Sequence, residues 1–403
     1  MSTGGEQGLE ATVRLKRGKE GPIRAGHPWI FSGAIAEFEG VAERGAFVRI
    51  QGADGKPLGV GLYNPKGSIA VRVLAAQEVA IDGTLIERRV ADALSLRQGL
   101  GLVADGGAFR LLNGEGDGLP GVVADVYGRF VVLQLLNAGA DRLRDLIVGA
   151  LSRALSPAGI FERSTGGARR DEGLSDRIEV ARGAEPPDRI EIVENGVRHG
   201  VDVRRGQKTG FFLDQRDNRV LASRLARGRR VLDCFSYTGG FALAAARGGA
   251  EHVCAVETSG PALEVARSAA EANGVEAARI DFRKQDVFDA LQPVEPEKRP
   301  ELIVLDPPPF ARHRADRDRA TRAYRDLNRK ALRALAPGGL LLTFSCSPHV
   351  TRDLFVHVIA TSTAPGCRLQ LLASLGAAPD HPTLPAHPEG EYLCGALVRS
   401  VRD

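Results

Sequence analysis

Two stretches in the last third of the chain set a carboxylate and a thiol at the ends of apolar runs: LIVLDPPPF over 302–310 and LLLTFSCS over 340–347. Asp306 is followed by prolines, each of which locks its own φ and restrains the residue before it, so the carboxylate is held rigidly. So placed at a sheet edge, it can accept hydrogen bonds from the edge of a base, and Phe310 can pack against a base turned out of its stack. Cys346 follows the second apolar run. The C5 atom of cytosine is a poor nucleophile, and its methylation requires a thiolate to add at C6, which makes C5 an enamine-like carbon able to attack a methyl sulfonium. Serine is too weak for that step. Cys346 and Asp306 are therefore the candidate catalytic pair. The blander alternative is a small buried core residue, which is how Cys234, Cys254, Cys367 and Cys394 read beside their strands.

A donor of methyl groups needs a cradle, and Arg230 to Glu257, RVLDCFSYTGGFALAAARGGAEHVCAVE, has the pattern of one. Val231 to Asp233 end a buried strand, Gly239 and Gly240 turn the backbone tightly, and Phe241 to Arg247 form an alanine-rich helix stopped by Gly248 and Gly249. Glu257 then closes a second strand, where the ribose hydroxyls of a nucleoside need an acceptor. No full G-x-G-x-x-G is present, so a nucleoside without phosphates, such as S-adenosylmethionine, fits better than a dinucleotide. Asp286, at the end of ARIDFRKQD, is suited to accept from an adenine amino group, or to cap a helix, or both. Gln207 to Arg216 fall beside the cofactor's amino-acid end; Arg216 can bind its carboxylate, and equally Arg216 and Arg219 can be solvated helix charges.

These residues require a particular frame. LIVLD and LLLTFSCS read as fully buried parallel strands, and acids at successive strand ends mark a doubly wound α/β sheet with ligands at its carboxyl edge. Ahead of it, residues 11–76 alternate short apolar strands with glycine turns, as in a small β-barrel. A helical stretch at about 83–100, a hairpin in VVADVYG…FVVLQLL and a helix at about 140–155 make a central α+β piece. Glu115, Asp117 and Asp125 there read as turn acids bonding to backbone rather than a metal site. RIEIVENGVRHGVDV is a hairpin turning at Asn-Gly. The expected domains are 1–80, 81–188 and 189–403.

With 403 residues and 43% apolar composition the chain has room for two or three cored domains. No secretory leader is evident in MSTGGEQGLE and no apolar run approaches a membrane span, so a cytoplasmic location without membrane contact is expected. The five cysteines contain no C-x-x-C pair, which argues against structural zinc and disulfides. His381, His387 and Cys394 lack a closed ligand set, and HPTLPAHP reads as a surface loop, so no metal is expected. Net charge is only +4, yet 203–230 carries +7 and 311–333 carries +6. Because both stretches flank the candidate chemistry, they read as a track for a phosphate backbone.

GQKTGFFLDQRDNR, DCFSYTGGFALAAARGGA, VETS, DPPPFA, FSCS and HPEGEYL follow one another in the order seen in the large-subunit ribosomal RNA methyltransferase I family, and RAGHPWIFSGAI and GVGLYNPKGSIAVRVL resemble the opening of its PUA-type RNA-binding domain. The resemblance spans nearly the whole chain. It implies an N-terminal PUA-like β-barrel, a central α+β linking domain and a Rossmann-like methyltransferase domain that forms 5-methylcytidine in ribosomal RNA. It also implies that Asp233, Phe235, Ser236, Tyr237, Gly239, Glu257, Asp286, Asp306 and Gln215 hold S-adenosylmethionine, that Asp306 holds the cytosine, and that Cys346 is the nucleophile. A homodimer is compatible with it. The family's members commonly carry a lysine soon after DPPxFA, where this chain has Arg312, His313 and Arg314. D-P-P-F by itself also resembles the loops of enzymes that methylate exocyclic amines. Methylation there or at guanine N7, without a thiol adduct, and a non-catalytic RNA-binding factor are the rival readings.

Overall fold

A computed structural model describes residues 8–41, 43–311, 314–363 and 367–402; Arg312 and His313 thus lie outside the described residues. The chain divides into two units, the first running through Ile192 with 201–213 and 379–390, the second made of 193–200, 214–378 and the residues from Glu391 on.

In the first unit, Ala11–Leu15, Trp29–Phe31, Ile35–Gly40, Phe47–Gln51, Pro57–Tyr63 and Ile69–Ala75 form a six-stranded sheet, as the alternating pattern of 11–76 implies. Ala108–Asn113, Val122–Tyr127, Phe130–Leu135, Gly159–Ser164 and Arg177–Gly183 form a five-stranded sheet with helices Gly83–Gly99 and Arg144–Leu155. The two pieces share a core: Phe47, Val60 and Leu62 of the first pack in one cluster with Ile86, Leu111, Leu133 and Ile147 of the second. Gly139 is needed there, since a Cβ at that position would stand 2.6 Å from Leu62 Cβ.

The acids of the GEGDG turn, and Asp125 on the strand Val122–Tyr127, do more than bond to backbone. Asp117 takes a two-pronged ion pair from the buried Arg97 at 2.5 and 2.8 Å, Asp125 takes Arg110 at 2.8 and 2.9 Å, and Glu115 accepts the Trp29 indole N–H at 2.8 Å. Asp117 also accepts the Asn113 amide at 2.6 Å, the backbone bond expected of a turn acid, while the partnerships with side chains of other elements go beyond that reading. The HPTLPAHP segment is a loop with Thr383, Pro385 and Pro388 exposed, but it is anchored by His381 and His387, which are both buried. The Asp380 carboxylate there accepts the Arg110 amide at 2.9 Å, and its carbonyl accepts from Arg97 at 2.7 Å.

In the second unit the strands are β1 (Arg230–Cys234), β2 (His252–Glu257), β3 (Ile280–Lys284), β4 (Leu302–Leu305), β5 (Leu340–Ser345), β6 (Cys367–Leu375) and β7 (Cys394–Arg402). They lie in the order β3-β2-β1-β4-β5-β7-β6, parallel except for β7, which runs antiparallel to both its neighbours. β4 and β5 are buried along their whole length, as strands covered on both faces must be. The helices are α1 (Arg216–Ala226), α2 (Gly240–Arg247), α3 (Gly260–Ala272), α4 (Val287–Ala290), α5 (Arg317–Ala334) and α6 (Arg352–Ala360). α5 buries Ala320, Tyr324, Leu327, Asn328, Ala331 and Leu332 on one stripe, the spacing of an amphipathic helix on a sheet. The hairpin before α1, Ile190–Glu194 with Val197–Val201, turns through Asn195 and Gly196 at φ 49° and 77°, the left-handed pair that this turn requires. Among the described residues no helix is long and apolar enough to cross a membrane.

Candidate active site

The site is assembled at the carboxyl ends of β1, β2, β4 and β5. Past β1 the chain turns through Phe235 at φ 62°, Tyr237 at φ 48° and Gly239 at φ 79°. Left-handed backbone at an aromatic residue costs roughly 1–3 kcal/mol and persists only where the surroundings enforce it. Here the Ser236 amide donates to the Val256 carbonyl at 3.0 Å, the Tyr237 amide to Glu257 Oε2 at 3.0 Å and the Gly239 amide to the Ser236 carbonyl at 2.8 Å. Gly239 admits no side chain, because its φ is left-handed and a Cβ would stand 3.0 Å from Ala266 Cβ.

Inside this turn Asp233 is 1% exposed, and among the described residues neither of its carboxylate oxygens, nor the buried Ser236 Oγ, has a hydrogen-bond partner. Burial pushes the Asp233 carboxyl well above the ordinary carboxylate range, and the charges of Asp306 and Glu257 push the same way; the Ala242 amide nearby opposes them without closing a full hydrogen bond. Buried polar atoms are almost always satisfied, so three unsatisfied ones at one strand end mark a place where another molecule supplies the donors.

Glu257 is fixed from several directions: besides Tyr237, the amides of Thr258 and Ser259 donate to its Oε1 at 2.8 and 2.9 Å. Asp286 caps α4, accepting the Phe288 amide at 2.7 Å, and is exposed. The neighbouring Gln285 amide donates to the Glu257 carbonyl at 3.2 Å, which places Asp286 beside that strand end. Gln215 is buried at the start of α1, where its amide oxygen accepts from Asn218 at 2.6 Å; its described hydrogen bond thus runs along the helix.

Arg216 and Arg219 are not solvated helix charges. Both are buried, and Arg219 grips Glu194 of the hairpin at 2.6 and 2.7 Å, with Arg216 Nε 3.9 Å from the same carboxylate. Burial opposes the charge of Glu194, but Arg219, then His199 and Arg216, outweigh it and hold the carboxyl below its ordinary value. His199 goes the other way: burial, with Arg219 adding and Glu194 opposing, lowers it to about 4, so it stays neutral. The Arg219 Cδ lies 3.2 Å from where a Cβ on Gly240 would sit, so this ion pair underlies the glycine turn. Glu194 was not found from the sequence, where it is one acid in an alternating strand.

Across the sheet, Asp306 and Cys346 follow the adjacent strands β4 and β5, whose register pairs Leu305 with Thr343. Cys346 Sγ reaches the carbonyl oxygen of Pro307, the residue after Asp306, at 3.6 Å. Both are partly exposed. The ring of Phe310 packs on Tyr324 of α5 with centroids 4.7 Å apart. Tyr324 was also missed, since its place on the apolar stripe of α5 reads as core.

Much of the basic excess is tied down locally. Arg204 pairs with Glu185 at 2.6 Å, Arg319 with Asp316 at 3.0 Å and Arg329 with Asp326 at 3.6 Å. Arg17 and Lys19 in the turn after Ala11–Leu15, and Arg24 in the short helix Glu20–Arg24, are exposed, while Lys16 donates to the Gly33 carbonyl at 2.9 Å.

Comparison with known proteins bears on both units. Residues 13–76 match the PUA-like domain, and residues 175–389 match the S-adenosylmethionine-dependent methyltransferase family. A ribosomal RNA large subunit methyltransferase I from Erwinia tasmaniensis is 40% identical over 395 residues, 97% of this chain and 100% of its own length. The protein of that name from Klebsiella pneumoniae is 41% identical over 388 residues, covering 96% of this chain and 97% of its own. In three dimensions the chain resembles a protein crystallised with SAH and assigned to the methyltransferases, at TM-score 0.83 and 23% identity over 96% of this chain and 99% of the other, which bears on the fold. The unsatisfied Asp233 and Ser236, the strained Phe235–Tyr237 turn and the fixed Glu257 carboxylate fit a nucleoside cofactor at the end of β1, in keeping with S-adenosylmethionine dependence. From its N-terminal six-stranded sheet, which is open among the described residues and not the closed barrel expected, to its final strands, this chain belongs to the large-subunit ribosomal RNA methyltransferase I family.

Proposed function

We propose that the protein methylates C5 of a cytosine in large-subunit ribosomal RNA, with Cys346 adding covalently to C6 of the base. The observation that carries this reading is the meeting of Cys346 Sγ with the Pro307 carbonyl, which sets a thiol against the turn bearing Asp306. Asp233, Phe235, Ser236, Tyr237, Gly239, Glu257 and Asp286, with Gln215 and Asp306, would hold S-adenosylmethionine, which supplies an electrophilic methyl group. Asp306 accepts hydrogen bonds from the amino edge of the cytosine. The Cys346 thiolate forms its bond to C6 and drives electron density onto C5. Once C5 carries its new methyl group, loss of the C5 proton and departure of the thiolate restore the aromatic ring and the free enzyme. Target recognition falls to the N-terminal domain, residues 1–80, with 81–188 as the linking domain and 189–403 as the catalytic one. The rRNA names of its relatives and the PUA-like match support an RNA substrate.

The test is mass spectrometry of nucleosides from unmodified large-subunit RNA incubated with the protein and isotopically labelled S-adenosylmethionine, alongside Cys346→Ala. Label in 5-methylcytidine that disappears with Cys346→Ala is the expected result. Label in a guanine N7 or exocyclic-amine product that survives the substitution would overturn it.

A further inference from the structure

Tyr324 is fully buried near the middle of α5, yet its phenol does not simply fill space. Its Oη lies 3.0 Å from Ser347 Oγ, and that same oxygen accepts the Ala311 amide at 3.2 Å. One buried oxygen thus ties together α5, the turn after β5 and the end of DPPPFA. The Ser347 amide in turn reaches Ser345 Oγ at 3.4 Å, and the hydroxyls of both serines act on the phenol. Cys346 sits between these two serines, each 1% exposed. Successive side chains of an extended segment point to opposite sides, so drawing Ser345 and Ser347 inward turns Cys346 the other way, where its Sγ meets the Pro307 carbonyl. The ring of Tyr324 is itself wedged between Phe310, at 4.7 Å, and Phe355, at 5.7 Å.

We propose that Tyr324 is a positioning residue for the nucleophile: through Ser347 its hydroxyl fixes the bearing of the Cys346 thiol on the DPPPF turn. This rests on Cys346 being the nucleophile. Burial raises the phenol to about 12 despite the opposing serine hydroxyls, with Cys346 adding to the rise, so it acts as a constant neutral hydrogen-bonding group and not as a base.

Tyr324→Phe retains the ring contacts and removes one oxygen. With saturating large-subunit RNA and labelled S-adenosylmethionine, its kcat falls about tenfold or more while KM for the cofactor stays within about twofold. Ser347→Ala behaves alike, and the double variant is no slower than the slower single one, since both remove one unit. A readout free of turnover is alkylation of Cys346 by iodoacetamide, followed on its peptide by mass spectrometry; its rate differs about threefold or more from the unmodified protein when the thiol is misdirected. Unchanged kcat and alkylation in Tyr324→Phe, with Cys346→Ala inactive, would overturn the positioning role and leave the nucleophile in place. A fall in kcat accompanied by an equal rise in cofactor KM and a lowered melting midpoint would reduce Tyr324 to a general core residue. An active Cys346→Ala would remove the nucleophile itself, and the role of Tyr324 with it.

Discussion

Arg219 and Glu194 form a buried, two-pronged ion pair directly beneath Gly240, the residue that opens the helix after the candidate cofactor turn. A hairpin before the sheet and a helix beside it are thereby joined at the place where the backbone is most constrained. Removing one partner leaves the other charge buried, which typically costs about 3–5 kcal/mol. Glu194→Gln should lower the unfolding free energy by that amount, with a matching fall in the urea midpoint, and weaken cofactor binding, read by urea titration and calorimetry. An unchanged midpoint would mean that Arg219 finds other compensation.

His199 makes the same cluster acid-sensitive. Its folded value of about 4 lies below the ordinary 6.5, so the unfolded chain takes up a proton before the folded one does. Stability is full above 6.5 and falls as pH drops toward 4, by up to about 1.4 kcal/mol per pH unit from this group. Urea midpoints measured across that window should flatten in His199→Gln.

Asp233 carries the opposite sign. Its folded carboxyl lies well above the ordinary 3.8, so it favours the folded state below that value, and the contribution is lost as pH rises toward the raised folded value. In the cofactor-free protein at pH 7, Asp233→Asn should therefore raise the melting midpoint while weakening S-adenosylhomocysteine binding about tenfold or more. Differential scanning calorimetry with and without that ligand separates the two effects. Loss of stability without ligand would show that the carboxylate has a structural partner.

Cys346→Ser should bind S-adenosylmethionine as before and lose about a thousandfold or more in methyl transfer, since a hydroxyl is a far weaker nucleophile. Single-turnover transfer to large-subunit RNA measures it. Transfer within tenfold of the unmodified protein would exclude a thiol adduct.

The candidate site was most legible where local chemistry decides the backbone. Gly239, the acids at the ends of β1 and β2 and the prolines after Asp306 act on their own segment, and each appears where its residue type demands. Side-chain partnerships across long separations were not legible. Arg216 and Arg219 look like solvent-facing charges on a helix, and only the hairpin's Glu194 turns them into buried ones. Likewise HPTLPAHP has the proline content of a surface loop, but Arg97 and Arg110, some 270–283 residues away in the chain, draw Asp380 inside. The helix α6 and the antiparallel course of β7 also lay beyond the sequence reading, because a strand's direction is set by its neighbours and not by its own pattern.

Residues 379–390 belong to the first unit although they are made between β6 and β7 of the second. During synthesis the first unit therefore waits for its last piece until the second unit has been made through β6. Arg97 and the Arg110 amide stay without Asp380 until then, and the only tryptophan, whose ring packs 4.3 Å from His387, lacks that neighbour. Domains usually mature in the order in which they are translated. Here the first unit cannot finish before most of the second has been made, and a chain cut at residue 378 is incomplete at the end that was made first.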